Sequence, residues 1–192
     1  MRTLSIIVLT ATLLVAPVLS PALCFKITLA RSSDQRDSKQ SKPSIELLGV
    51  SDLTALREQA QGQVLVINFW ATWCHGCVAE FPEFVALDEK YGMKGVKVVG
   101  ISLDSAKDLD SKVRPFISKA KAMFDVRVPD MDDPQPIIDA VTKEWPGAMP
   151  ATFIFDGKGK LAYHRFGVID RDRLFLETES ALERLRSQRE GQ

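Results

Sequence analysis

What most narrows the fold of this chain is the junction Phe69-Trp70-Ala71-Thr72-Trp73-Cys74-His75-Gly76-Cys77, where two thiols three positions apart follow an apolar run. The run itself, Val64 to Trp70, is short, rich in Val and Ile, and bounded upstream by Gly62, which predicts a buried strand. From Val78 to Tyr91 the period changes, and Phe81, Phe84, Val85 and Leu87 fall on one helical face. The first thiol therefore stands where a strand turns into a helix. Unpaired N–H groups and roughly half a positive charge gather at a helix start and favour a thiolate over a thiol. Cysteine in that setting is a nucleophile at neutral pH.

The segments downstream extend the pattern. Gly95 to Asp104 is a nearly unbroken apolar run, suited to a central strand covered on both faces. Strand, helix and strand in that order make a βαβ unit with parallel strands and a right-handed crossover. Residues 105–122 have mixed helical character, with Pro115 opening the second half. Phe124, Val126 and Val128 alternate with polar residues as in a short strand, and Asp133-Pro134 starts a helix reaching about Glu144. Pro150 marks the first residue of a strand or a turn, because a strand interior rejects proline. Asp156 to Lys160 is a tight turn, after which Leu161 to Gly167 returns as a hairpin arm. Asp170 caps a last helix whose inner side is Leu174, Thr178, Ala181, Leu182 and Leu185. Upstream, Ser51 caps a short helix over Ser51–Ala60.

The N-terminus carries a different signal. Arg2 is the only charge before Lys26, and Leu4 to Ala16 is apolar apart from Ser5, Thr10 and Thr12. Pro17 and the small residues Ser20-Pro21-Ala22 follow, which fits a signal peptide cleaved after Ala22; the alternative is a retained membrane anchor. Residues 31–43 contain no apolar side chain and read as a tether. The expected organisation is a signal peptide or anchor at 1–22, a flexible tether at 23–43, one domain at 44–187 and a tail at 188–192. Export would place the dithiol where it can be oxidised, in a periplasmic or otherwise extracytoplasmic compartment. With 25 basic and 25 acidic residues and no basic block, nothing points to nucleic acid. Three cysteines are too few for a disulfide scaffold, and Cys24 is left over from the pair; Leu23 before it is too bulky for a usual lipidation signal.

The stretch from Asn68 to Cys77, the Glu80-Phe81-Pro82 that follows, and Met149-Pro150-Ala151-Thr152-Phe153 together resemble the thioredoxin superfamily, closest to its membrane-tethered or periplasmic TlpA/ResA-like thiol–disulfide oxidoreductases. The resemblance covers about residues 44 to 187. It implies an α/β thioredoxin-like fold, a central mixed sheet flanked by helices, with Pro150 in the cis form facing the two sulfurs. Two departures stand out. His75-Gly76 lies between the cysteines where a proline commonly precedes the second, and Asn68 stands where thioredoxin has a buried aspartate.

The expected site follows residue by residue. Cys74 attacks and forms a mixed disulfide; Cys77, one turn deeper, resolves it, the two forming the redox-active disulfide. His75, if protonated, favours the thiolate and makes the pair a stronger oxidant; otherwise it is an exposed polar residue. Glu80 shares the helix face of Cys77 and can relay the proton the resolving thiol loses, or is an ordinary first-turns glutamate favoured by the helix dipole. Pro150 carries no N–H, leaving neighbouring backbone groups for a substrate strand, and Met149 touches both partner and dithiol. Trp73 is a rim or docking residue, while Trp70 and Trp145 pack; His164 is structural.

The function expected is an exported thiol–disulfide oxidoreductase, a protein-disulfide reductase that needs no cofactor and acts on protein thiols or disulfides. Apocytochrome c, a copper-site protein and a membrane electron donor are the partners the resemblance implies. The alternative is a copper-binding metallochaperone of the same fold, since Cu(I) favours soft thiolates and His75 could add a nitrogen. Zinc would need four ligands, and neither a second C-x-x-C nor a His-x-x-x-His is present. Haem attachment would need His directly after the second cysteine, where Val78 stands, and a peroxidase loop would need a proline ahead of Thr72 that is not there.

Overall fold

A computed structural model describes residues 43–191. The signal or anchor segment, most of the tether and Cys24 lie outside the described residues. Among the described residues six strands form one mixed sheet, and five α-helices lie against its two faces. In chain order the elements are β1 Ile45–Leu48, α1 Val50–Gln59, β2 Val64–Trp70, α2 His75–Tyr91, β3 Val96–Ser102, α3 Arg114–Ala120, β4 Asp125–Pro129, α4 Gln135–Val141, β5 Ala151–Phe155, β6 Leu161–Phe166 and α5 Arg171–Glu190. The sheet order is β1-β4-β3-β2-β5-β6. β2 runs parallel to β3, as do β3 and β1 to β4, whereas β5 is antiparallel to β2 and to β6.

Every residue of β2 is buried, because each face of the strand meets a separate apolar layer. Val64, Val66 and Trp70 pack with Phe81, Phe84 and Leu87 of α2, Ile117 of α3 and Leu174 and Leu182 of α5. Leu65, Ile67 and Phe69 pack on the opposite side with Leu53 and Leu56 of α1 and Ile137 and Ile138 of α4. A strand buried on both sides is what an unbroken apolar run encodes. On the first face Phe81 is the hinge of an aromatic group, its ring centroid 4.8 Å from Trp70 and 4.9 Å from Phe116.

Several elements differ from the sequence expectation. β1 was not expected at all: its four residues are an edge strand whose middle two are exposed, too short for a period to show. α1 is capped from Gly49 and not Ser51, since the Asp52 carboxylate accepts the Gly49 N–H at 2.7 Å. α4 ends at Val141, three residues short of Glu144, where Thr142 returns to extended backbone. The 105–122 stretch resolves into a 3₁₀ turn at Ala106–Asp108, a π turn at Leu109–Val113 and α3 with Pro115 in its first turn. Asp170 caps α5 through Arg173 N–H at 2.9 Å, and that helix continues to Glu190, past residue 187. Among the described residues no helix is long and apolar enough to cross a membrane.

Phe81 is 1 % exposed and joins three elements through its ring. Phe81→Ala should cost about 3–5 kcal/mol in guanidinium denaturation of the oxidised protein. A loss below about 1 kcal/mol would contradict this packing.

Candidate active site

The dithiol sits at the carboxyl end of β2, where the chain leaves the sheet and turns into α2. Cys74 is the helix N-cap: its backbone is extended, and its Sγ accepts the Cys77 N–H at 3.3 Å. Cys74 and Cys77 are joined by a disulfide in this structure. Cys74 is half-buried, whereas Cys77 is fully buried within the α2 face of the core. The two sulfurs therefore differ in access, although three residues separate them. His75 is exposed on the first turn, and Trp73 stands 65 % exposed beside the pair.

The turn ahead of Cys74 is fixed by a residue the sequence reading assigned no role. Asp104, just past β3 and 4 % exposed, accepts the Thr72 N–H at 2.8 Å and also the Thr72 hydroxyl. The Ser102 hydroxyl donates to the same carboxylate at 2.6 Å, and Leu103 N–H donates to Trp70 O at 2.7 Å. A buried carboxylate bonded three times by donors clamps the Ala71–Trp73 turn to the end of the neighbouring strand. The clue was available: Ser102 and Asp104 end a strand parallel to β2, on the same carboxyl edge as the thiols.

Opposite the helix start lies the Met149-Pro150 bond, which is cis as the resemblance implied. A Cβ added to Gly76 would come within 3.0 Å of Val168 Cγ2 and 3.6 Å of Pro150 Cδ. Gly76 thus allows the 147–150 and 167–170 loops to close on the dithiol turn. Val168 is half-exposed there and had escaped the sequence reading, while Met149 packs partly into the α2 layer that contains Cys77.

Glu80 is 3 % exposed, one turn beyond Cys77 on α2. Asn68 Nδ2 donates to its Oε1 at 3.0 Å, and Ile169 N–H donates to its Oε2 at 2.8 Å. Burial pushes the Glu80 carboxyl up to about 7, against the pull of the Ile169 and Asn68 hydrogen bonds. It is therefore not the ordinary surface glutamate that a helix dipole alone would retain. Trp145 is buried and its Nε1–H donates to Ala148 O at 2.9 Å, steadying the segment before the cis-proline. His164 stacks against Phe153, centroids 6.4 Å apart, in the hairpin away from α2. Among the described residues no group of three or more His, Cys, Asp or Glu is placed to hold a metal ion.

A C-x-x-C disulfide capping a helix at the end of a central strand, faced by a cis-proline, defines a thiol–disulfide oxidoreductase of thioredoxin-like fold. Comparison with known proteins agrees. The chain is 28 % identical over 163 residues to the thiol-disulfide oxidoreductase ResA of Oceanobacillus iheyensis, covering 82 % of this chain and 80 % of that protein. It is 31 % identical over 121 residues to the thioredoxin-like protein YneN of Bacillus subtilis, covering 62 % of this chain and 66 % of that one. The crystal structure of a thioredoxin-family thiol:disulfide interchange protein from Chlorobium tepidum superposes with a TM-score of 0.56 at 22 % identity, over 65 % of this chain and 83 % of that chain, and shares its fold. The model of the AhpC/TSA family matches residues 39–164, and the chain belongs to that family.

The raised Glu80 carboxyl makes a pH prediction. A folded-state value above the unfolded one, near 4.5, means the native protein binds the extra proton, so stability falls as pH rises from about 4.5 to about 7. The loss attributable to this residue is on the order of 3 kcal/mol. Denaturation midpoints of oxidised wild type and Glu80→Gln across that range should converge or diverge accordingly, the variant lacking this slope. Equal slopes in both proteins would contradict the burial of an ionisable Glu80.

Proposed function

We propose that this enzyme is an exported protein-disulfide reductase acting through Cys74. The observation that carries the reading is the asymmetry of the pair: Cys74 half-buried with its sulfur at the helix start, Cys77 sealed behind it. In the reduced enzyme the Cys74 thiolate attacks one sulfur of a partner disulfide, and the other partner sulfur leaves as a thiolate that takes a proton from solvent. Cys77 then gives its proton to the Glu80 carboxylate, and its sulfur attacks Cys74 Sγ. That step forms the Cys74–Cys77 disulfide and releases the partner's second thiolate. Two electrons pass from the dithiol to the partner, and Glu80 returns its proton to solvent when the site reopens.

The surroundings fit a polypeptide substrate. Trp73 and Val168 offer exposed apolar surface around the pair, Met149 borders it, and Pro150 places no N–H against the sulfurs. Export is supported by the leader-like residues 1–22 and by a dithiol suited to an oxidising compartment. Likeness to TlpA/ResA-like proteins supports the reducing direction and, as partners, an apocytochrome c or copper-site protein with a membrane electron donor. His75 pulls the other way, because a cation beside Cys74 stabilises the reduced form and makes the pair more oxidising. The metallochaperone alternative gains no such support, since His75 is exposed on the first helical turn, without a further ligand group beside it among the described residues.

Cys77→Ser should accumulate mixed disulfides through Cys74 in its native host, and Cys74→Ser should accumulate none. Recovery of no partner through Cys74 would overturn the oxidoreductase role on proteins. Direction is read from the reduction potential of the pair: a value near about −270 mV is expected for a reductase, and one near about −120 mV would make it an oxidant.

A further inference from the structure

Six polar or charged side chains are buried among the described residues. The side-chain oxygens of Glu80, Ser102, Asp104 and Thr178 all have hydrogen-bond partners. Asn68 Oδ1 and Thr152 Oγ1 have none. These two residues are register partners across the β2–β5 ladder, so their side chains rise from directly opposite positions on the same face of the sheet. Buried polar atoms without partners are uncommon and call for an explanation.

The explanation lies in the two protonation states of Glu80. As a carboxylate it accepts from Asn68 Nδ2 and from Ile169 N–H. Once protonated it must also donate. A backbone N–H cannot accept, so Oε2 keeps its role toward Ile169 and the proton belongs on Oε1. There it meets another donor, the Asn68 NH₂, unless the amide turns over. A half-turn about Cβ–Cγ exchanges Nδ2 for Oδ1 and supplies the missing acceptor. The unpartnered Oδ1 is the atom that this second arrangement needs.

We propose that Asn68 is a positioning residue for the proton of Glu80: its amide donates through Nδ2 to the carboxylate, and turns to accept through Oδ1 from the carboxylic acid. The inference rests on the reading of Glu80 as the group that takes the Cys77 proton. On β6 the charge on the same face of the sheet is Arg165, the register partner of Thr152, and it is exposed. β2 and β5 carry no charged side chain, and Lys97 of β3 pairs with Asp125 at 3.9 Å. On α2 the other titratable group facing the site is Cys77, while Glu83 bonds Arg171 at 2.6 Å. Asp170 caps α5, Asp172 is exposed on that helix's first turn, and Arg173 bonds Glu177 at 2.9 Å.

The test is a cycle of Asn68→Leu, Glu80→Gln and the double variant in the full-length enzyme, reading the pH profile of the Cys77 resolving step by rapid mixing with a model disulfide. Losing a donor to the carboxylate should move the inflection up by about one pH unit in Asn68→Leu. In the Glu80→Gln background Asn68→Leu should move nothing further. An equal displacement in both backgrounds, or an unchanged profile in Asn68→Leu, would overturn the role given to Asn68. A wild-type profile that Glu80→Gln leaves unaltered would instead overturn the proton role of Glu80 itself. Should Asn68→Leu not fold, NMR of the wild type decides: the Asn68 side-chain amide signals must titrate with the Glu80 carboxyl carbon, and amide signals that stay fixed through that titration would refute the turn-over.

Discussion

Everything in this molecule's chemistry hangs on one hydrogen bond and the helix end it belongs to, the Cys77 N–H donated to Cys74 Sγ. A helix start has N–H groups with no partner inside the helix. Here a sulfur, not a hydroxyl or carboxylate, caps them. The same donors that hold the disulfide in place favour negative charge on Cys74 once the bond is broken. Stability and reactivity thus share a cause, and the surrounding fold serves to keep that helix start where a partner can reach it. β2 is locked between two apolar layers, Asp104 ties the turn after it to the adjoining strand, and Gly76 admits the two loops that close the far side.

Behind the half-buried Cys74 lies a small polar island in an otherwise apolar layer. Asn68 and Thr152 are buried opposite each other on the sheet face that bears Trp70 and Ile154, and Glu80 of α2 bonds Asn68 there. Burying a carboxylate is costly unless its oxygens are satisfied. The hydrogen bonds from Asn68 and Ile169 offset only part of that cost, which is why the carboxyl is held near neutrality and not near its usual value. A group so poised gains or loses a proton readily at the pH where dithiol exchange operates. The carboxylate at Asp104 thus holds the backbone, whereas Glu80 is the carboxyl to which the proposed exchange gives a proton.

Much of this was legible in the residues alone. The β2 bounds, the junction with α2, Pro115 in a first turn, the Asp170 cap and the inner face of α5 follow from period and capping chemistry, which act over a few residues. β1 was lost because a four-residue strand with its middle two exposed carries no period, and the cap of α1 because Asp52 reaches back to Gly49 from inside the helix. In the site, both cysteines, Glu80 and Pro150 were marked by motif and spacing. The Asp104 clamp and the Ile169 N–H on Glu80 were not, because each joins residues 32 and 89 positions apart that only the sheet brings together. Long-range hydrogen bonds leave no local trace in composition. What hinted at the first was its place on the carboxyl edge of the parallel strands, where ligands and reactive groups gather in open α/β sheets.

The most direct trial of the central claim is the pH dependence of alkylation of the fully reduced native enzyme, with each cysteine quantified by mass spectrometry. Cys74 should react first, with an inflection well below the value of about 8.5 for a free cysteine, while Cys77 stays protected. An inflection at or above that value, or Cys77 reacting as fast as Cys74, would mean that the helix start does not generate the nucleophile.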